Sequence, residues 1–385
     1  MNNPGFSFSG KGRVFVLANE KFPFAVFDFL RFPLIVGVVL QHANLSNLVV
    51  NHVKVLNGSD FPVFYYAFYL ISTIIVKPAV PLFFAISGYL FFCGLQRFDF
   101  NMFLGKLKRR VRSLLVPYVF WNLIILFSYF VAQSVIPDML SGRDKLLTDY
   151  SLSDWLWAFW DTSKFNENDM SMPVNYPLWF VRDLMVVVCL SPVIYFLIKK
   201  LKLFAVLALG LIWLSGDFNL FVGLNFGDIF FFSLGAYACL CKENVSIQVP
   251  WVMPVVLILY IFIVSLELYL KGSYSVFYIH EMGILVGGVL VWSLSSRFVI
   301  SGRWHSSRLL SQSSFFIFVF HAMPLTFVIR ILLKLVSPFS EVSLLFVYFV
   351  SPVITIATGL LLFMLMKRYT PRFLNCISGG RVDRA

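Results

Sequence analysis

The chain has 385 residues, of which 59% are hydrophobic, 18% aromatic and only 13% charged. A soluble domain of this length carries about 25% charge, so the composition argues against a globular soluble protein and for an integral membrane protein. The formal net charge of +12 then reflects basic loops on one side of a bilayer rather than nucleic-acid binding. Five cysteines, an odd number without metal-ligand spacing, argue against a disulfide framework or a metal site. Cys239 and Cys241 read as free thiols.

Apolar runs of roughly spanning length fall at 23–43, 78–95, 114–136, 178–198, 203–215, 225–241, 250–270, 275–296, 309–333 and 342–366. They predict an all-α polytopic protein of about ten transmembrane helices, its membrane domain over 23–366. A short N-terminal segment, 1–22, and a tail, 367–385, flank it. The first run is not a cleavable signal peptide, because it contains Asp28 and Arg31 and no small-residue cleavage site follows. With both termini cytoplasmic, the inner segments hold 21 Lys or Arg and the outer segments six, as the positive-inside rule requires.

The first span carries the strongest functional signal. An ionisable side chain inside a spanning helix costs about 2.5–3.5 kcal/mol on insertion scales, so it usually faces a cavity or a partner. Arg31 and His42 are eleven residues apart, which returns them to one helix face about 16 Å apart along the axis. Asp28 lies one turn before Arg31 and can pair with it. The pair is either a structural ion pair or part of a through-membrane polar path.

Phe61 to Val76 is apolar too, but counting it as a crossing would put the Lys106–Arg112 cluster outside. It reads as an outer interfacial or re-entrant segment, with Lys77 at the outer mouth on the level of His42. The cluster Lys106, Lys108, Arg109, Arg110 and Arg112 either sets topology and attracts anionic lipid or captures a phosphorylated cytosolic donor. The outer loop 137–177 contains seven acidic residues and Trp155, Trp157 and Trp160. Those tryptophans are an interfacial belt or a platform for sugars. Further polar groups converge on the outer half: Trp179, Arg182 and Asp183 in the fourth span, His280 and Glu281 at the start of the eighth, and His321 near the middle of the ninth. No glycine-rich phosphate loop is present, which argues against a nucleotide-hydrolysing motor. A base, a set of cations and a polar path suit transfer of a group across the bilayer, with sugar transport or flipping as the alternative.

Five motifs in order resemble the bacterial membrane acyltransferase family 3. The run Asp28 to His42 is similar to its Arg-x10-His motif, Val80 to Tyr89 to its second-helix signature, and Arg109 to Pro117 to its basic cytoplasmic motif. Leu178 to Leu184 and Ser314 to His321 complete the set, and the similarity extends over about 22–368. The resemblance implies a membrane O-acyltransferase of the bacterial inner membrane. Its donor would be acyl-CoA, with acetyl the expected group, and its acceptor a sugar hydroxyl of a surface polysaccharide or lipid-linked glycan. No permanently bound cofactor is implied. His42 would be the catalytic histidine, Arg31 with Asp28 its companion, and Arg109 and Arg112 donor-binding residues. Lys77, Trp179, Arg182, Glu281 and His321 are candidates for oxyanion or acceptor contacts. Some members carry an additional esterase-like domain that finishes transfer; without it, transfer is expected within the membrane domain or with a partner.

Overall fold

The computed structural model describes residues 15–16, 22–45, 49–50, 53–54, 60–95, 99–135, 145–166, 170–216, 219–241, 247–248, 252–273, 276–302, 307–336 and 339–382. Helices dominate; the strands among the described residues form three ladders of two short strands each. The helices are α1 Phe22–His42, α2 Pro62–Phe68, α3 Ala79–Phe92, α4 Phe100–Arg110, α5 Val116–Val135 and α6 Leu152–Trp157, then α7 Trp179–Cys189, α8 Ser191–Leu201, α9 Leu203–Ser215 and α10 Phe226–Leu240. They continue with α11 Val252–Tyr269, α12 Val276–Ser301, α13 Arg308–Phe320, α14 Ala322–Leu335, α15 Glu341–Tyr369 and α16 Pro371–Ile377.

Among the described residues, six helical runs are long and apolar enough to cross a membrane. The pairs α7–α8 and α13–α14 each make a further candidate span, bent by 62° and 73°, and α9 and α10 are shorter apolar helices. This is a multi-pass all-α membrane protein, with six candidate spans, or eight if each bent pair is one, among the described residues.

Both bends follow from proline. Pro192, near the start of α8, has no N–H for the Val188 carbonyl, and the Ser191 hydroxyl donates to that carbonyl instead at 2.6 Å. Pro324 stands in the first turn of α14, so the helix ends at Phe320 and restarts after His321. The apolar run 309–333 is therefore not one straight span: it breaks at a histidine.

The segment 61–76 is largely helical. Pro62–Phe92 forms one 31-residue apolar run, with a π-helical stretch over Tyr69–Ile75 joining α2 to α3. Lys77 and Pro78 stand in the turn at 76–78 between this stretch and α3, with Pro78 at the N-cap position of α3. A second π-helical stretch, Val111–Leu115, links α4 to α5 in a 36-residue run.

α1 packs against α3, α12, α13 and α15, which places its polar residues inside the bundle. α3 and α10 meet backbone to backbone. A Cβ at Gly88 would strike the Phe232 carbonyl, and one at Gly235 the Ala85 carbonyl. Small residues let membrane helices gain van der Waals contact this way. The segment after α15 folds back onto the bundle: the Trp121 indole donates to the Ile377 carbonyl at 3.1 Å.

Candidate active site

A cavity of roughly 920 Å³ opens among α1, α3, α4, α7 and α13. Six cations line it, Arg31, Lys106, Arg109, Arg110, Arg308 and Arg381, against one carboxylate, Asp28. Arg31 Nη1 donates to Asp28 Oδ1 at 2.6 Å, and both side chains stay substantially exposed, 38% and 47%. Their charge is therefore solvated within the cavity rather than buried in apolar surroundings, which lowers the cost of placing it in a span. Lys106 donates to the carbonyls of Phe91 and Cys93 at 2.6 and 2.8 Å, so its ammonium caps the C-terminus of α3. Arg112 is exposed and absent from the lining; Lys106, Arg110 and Arg308 stand there with Arg109.

Apolar residues also line this cavity, among them Val38, Phe180 and Phe318. Val38 lies four residues before His42, about 6 Å along α1. The Phe318 carbonyl accepts a 2.6 Å bond from Nδ1 of His321. A cationic chamber thus leads to within about one helical turn of two imidazoles.

His42 and His321 face one another with ring centroids 5.3 Å apart, and Tyr176 packs edge-on against His42 at 4.9 Å. His321 is fully buried. A carbonyl can only accept, so Nδ1 of His321 carries the proton and Nε2 holds the lone pair. That Nε2 has no hydrogen-bond partner among the described residues. Lys77 is half-buried in the turn between Ile75 and Ala79. Ser72, on the preceding π-helical stretch, fixes this wall by donating to the Leu40 carbonyl at 2.9 Å and meeting the Tyr348 hydroxyl at 2.7 Å. Asn175 completes the surroundings. Its amide donates to the Val319 carbonyl at 3.3 Å, its N–H bonds Asn122 at 3.0 Å, and its buried Oδ1 has no partner among the described residues.

The other sequence candidates are placed differently. Arg182 is buried and donates to Asp183 at 2.7 Å, to the Trp160 carbonyl at 2.6 Å and to the Ser171 carbonyl at 3.1 Å. It also stacks on Trp160 at 5.6 Å, so it ties the outer loop to α7. Trp160 turns inward, its indole donating to the Val222 carbonyl, whereas Trp155 and Trp157 remain partly exposed. Trp179 is half-buried at the start of α7. Glu281 is half-buried on α12, beside His280, whose Nδ1 meets Glu267 at 2.7 Å. Lys271, between α11 and α12, sits 3.5 and 3.6 Å from the ring centres of Tyr65 and Tyr69.

Residues 24–364 match the acyltransferase domain model Acyl_transf_3. The chain belongs to the acyltransferase 3 family. It is an acyltransferase enzyme, and the transporter alternative gives way to that finding. The acyltransferase is 28% identical over 313 residues to the succinoglycan biosynthesis protein ExoH of Rhizobium meliloti strain 1021, which covers 78% of this chain and 79% of the relative. No solved structure matches it. The family match takes in Asp28, Arg31, His42, Lys77, the Lys106–Arg112 cluster, Tyr176 and His321, and ends before α16. Arg308 and Arg381 were missed as site residues because they are remote in sequence from the basic cluster they join. Tyr176 and Asn175 carried a weak signal, their place next to the Pro177-Leu178-Trp179 run.

Proposed function

We propose that this acyltransferase takes an acyl group, expected to be acetyl, from cytosolic acyl-CoA and delivers it to a hydroxyl of a surface polysaccharide or lipid-linked glycan. It would work in a bacterial inner membrane with its basic face toward the cytoplasm. The observation that carries this reading is a cavity lined by six cations that reaches Val38 and Phe318, within about one helical turn of a histidine pair. Arginine forks suit phosphate oxygens, and the apolar stretch past Ile35 and Val38 suits an uncharged acyl-bearing arm. The glycan acceptor is supported by the relative's role in succinoglycan biosynthesis.

In this mechanism His42 removes the proton from the acceptor hydroxyl as its oxygen attacks the thioester carbonyl carbon. The tetrahedral oxyanion collapses, the carbon–sulfur bond breaks, and the departing sulfur takes up the proton from the imidazolium. An ester and a free CoA thiol result. Lys77 stabilises the oxyanion. His321, its Nδ1–H fixed on Phe318, packs its ring against His42 and positions that imidazole. Arg31 lies on the donor path.

The test is envelope mass spectrometry on cells with and without the protein, fed isotopically labelled acyl precursor. Label on glycan that disappears with His42→Ala supports the reading. Sugar translocation without acyl label would sink it.

A further inference from the structure

We infer that Cys93 and Cys239 form a redox-active dithiol at the wall of the cation-lined cavity, which exchanges with a small anionic disulfide and closes reversibly into a disulfide between α3 and α10. The inference does not depend on which acyl donor the cavity takes. The two cysteines are far apart in sequence, and only the packing of α3 on α10 joins them.

That packing is close enough to fix the register. A Cβ on Gly235 would come within 2.8 Å of the Tyr89 backbone nitrogen. Cys93 and Cys239 each lie four residues further along, about 6 Å or one turn on. Contacts at this end of the two helices agree. The Phe92 ring stacks on Tyr195 at 6.3 Å, the Lys199 ammonium lies 6.0 Å over the same Tyr195 ring, and Lys199 donates to the Leu240 carbonyl at 3.4 Å. Leu240 therefore stands near Phe92, and the residues beside them, Cys239 and Cys93, are hydrogen-bonded through their side chains. Both are free thiols.

The setting suits exchange. Redox-active cysteines occupy electropositive, partly exposed surroundings. Cys93 lines the cavity and is half-buried, so a small molecule in the cavity reaches its sulfur. Lys106, which donates to the Cys93 carbonyl at 2.8 Å, lines the same space with Arg109 and Arg308, and Asp28 is the one carboxylate among the described lining residues. A lining of that sign draws anions in.

The step balances. Cys93 sheds its proton and its sulfur attacks the small disulfide, whose sulfur–sulfur bond breaks; one small thiol leaves and takes up a proton. Cys239 then sheds its proton, its sulfur attacks that of Cys93, and the second small thiol leaves with a proton. Two cysteines are oxidised and one small disulfide is reduced to two thiols. Excess small thiol reverses it. On a face bathed by a reducing compartment, such a disulfide is transient and senses redox poise.

The test treats the full-length protein in nanodiscs with glutathione disulfide, quenches with acid and maps peptides by mass spectrometry without reduction. Wild-type protein should yield a Cys93–Cys239 linkage that dithiothreitol removes. Cys239→Ser, or Cys239→Ala should the serine variant fold poorly, should stop at a glutathione adduct on Cys93. Cys376, exposed on α16, is the internal reference and should carry the adduct alone. Measured against Cys376, Cys93 should favour anionic glutathione disulfide over neutral hydroxyethyl disulfide on the order of tenfold at low salt, and high salt should erase the preference. A folded wild-type protein whose Cys93 keeps its glutathione adduct, or stays unmodified while Cys376 reacts, overturns the inference. So does a Cys93 that, against the same reference, reacts equally with the two disulfides.

Discussion

His42 and His321 stand ring to ring, 5.3 Å between centroids, one at the end of α1 and the other at the break between α13 and α14. Groups that act as a unit give non-additive losses, so the pair makes a distinctive prediction. His42→Ala should lower acyl transfer about 10²–10⁴-fold, the usual cost of removing a general base. His321→Gln should lower it by about tenfold, on the order of losing a group that positions the catalytic residue. The double variant should be no slower than His42→Ala. Transfer assays on well-expressed protein decide it, and near-normal product from either single variant removes that histidine from the mechanism.

The cation chamber separates arginines that neighbour one another in sequence. Arg109 and Arg110 line it, whereas Arg112 is exposed outside it. Alanine at Arg109 or Arg110 should weaken acetyl-CoA binding about tenfold or more, and Arg112→Ala should change it by less than twofold, as for an exposed charge. Binding should also weaken with added salt, since the distance over which charges attract shortens in concentrated electrolyte. An Arg112→Ala variant as impaired as Arg109→Ala would return the donor site to the whole basic motif.

What could be read from the sequence was local. Asp28 and Arg31 are one helical turn apart, and the ion pair that spacing allows is present at 2.6 Å. The apolar runs gave the fold class, and the basic cluster pointed to one wall of the cavity. Breaks and long-range partners were harder. The run around His321 is apolar on both sides, so its composition hid the turn that Pro324 imposes. Lys77-Pro78 lies in the turn at 76–78 that separates the π-helical stretch from α3. Arg182 shared a motif with plausible site residues, yet its donors go to Asp183 and two loop carbonyls. Arg381 carried no periodicity or spacing signal; only the tertiary fold brings it beside Arg31 and Arg308.

The backbone contact between α3 and α10 predicts a steep penalty for a single methyl group. Gly88→Ala and Gly235→Ala each push a Cβ into a carbonyl that cannot rotate away. Each should cost at least the roughly 1–3 kcal/mol typical of overpacking, read as a lower thermal midpoint in detergent and reduced membrane yield. Gly105→Ala is the control, because nothing lies within 4 Å of its Cβ position in α4. It should be neutral, or stabilising by up to about 1 kcal/mol through helix propensity. Equal behaviour of the three variants would contradict the close approach.

Sidedness is open to direct labelling. In a background with the five native cysteines replaced by serine, Leu152→Cys on exposed α6 should react with an impermeant maleimide in intact spheroplasts. Lys108→Cys, also exposed, should react only after lysis. The reason is the excess of basic residues on the face that carries α4. Reversed labelling would place the cation chamber on the outside and remove cytosolic acyl-CoA as its ligand.

The outer loop offers a pH test away from the membrane. Lys145 Nζ meets Asp154 at 2.7 Å, and Ser151 adds its hydroxyl and its N–H to the same carboxylate. The Lys145 ammonium, followed by the Ser151 donors, pulls the Asp154 carboxyl down from 3.8 to about 2. A carboxylate held low in the folded state stabilises that state fully above its ordinary value, and the contribution disappears as pH falls through the folded value. The loop should therefore resist pepsin at pH 4 and become susceptible near pH 2. Lys145→Met removes the largest cause of the shift, so susceptibility should begin at a higher pH, toward 3.8. Peptide mapping of the cut sites around α6 reads the change, and a digestion profile that Lys145→Met leaves unmoved would show that this ion pair does not hold the loop.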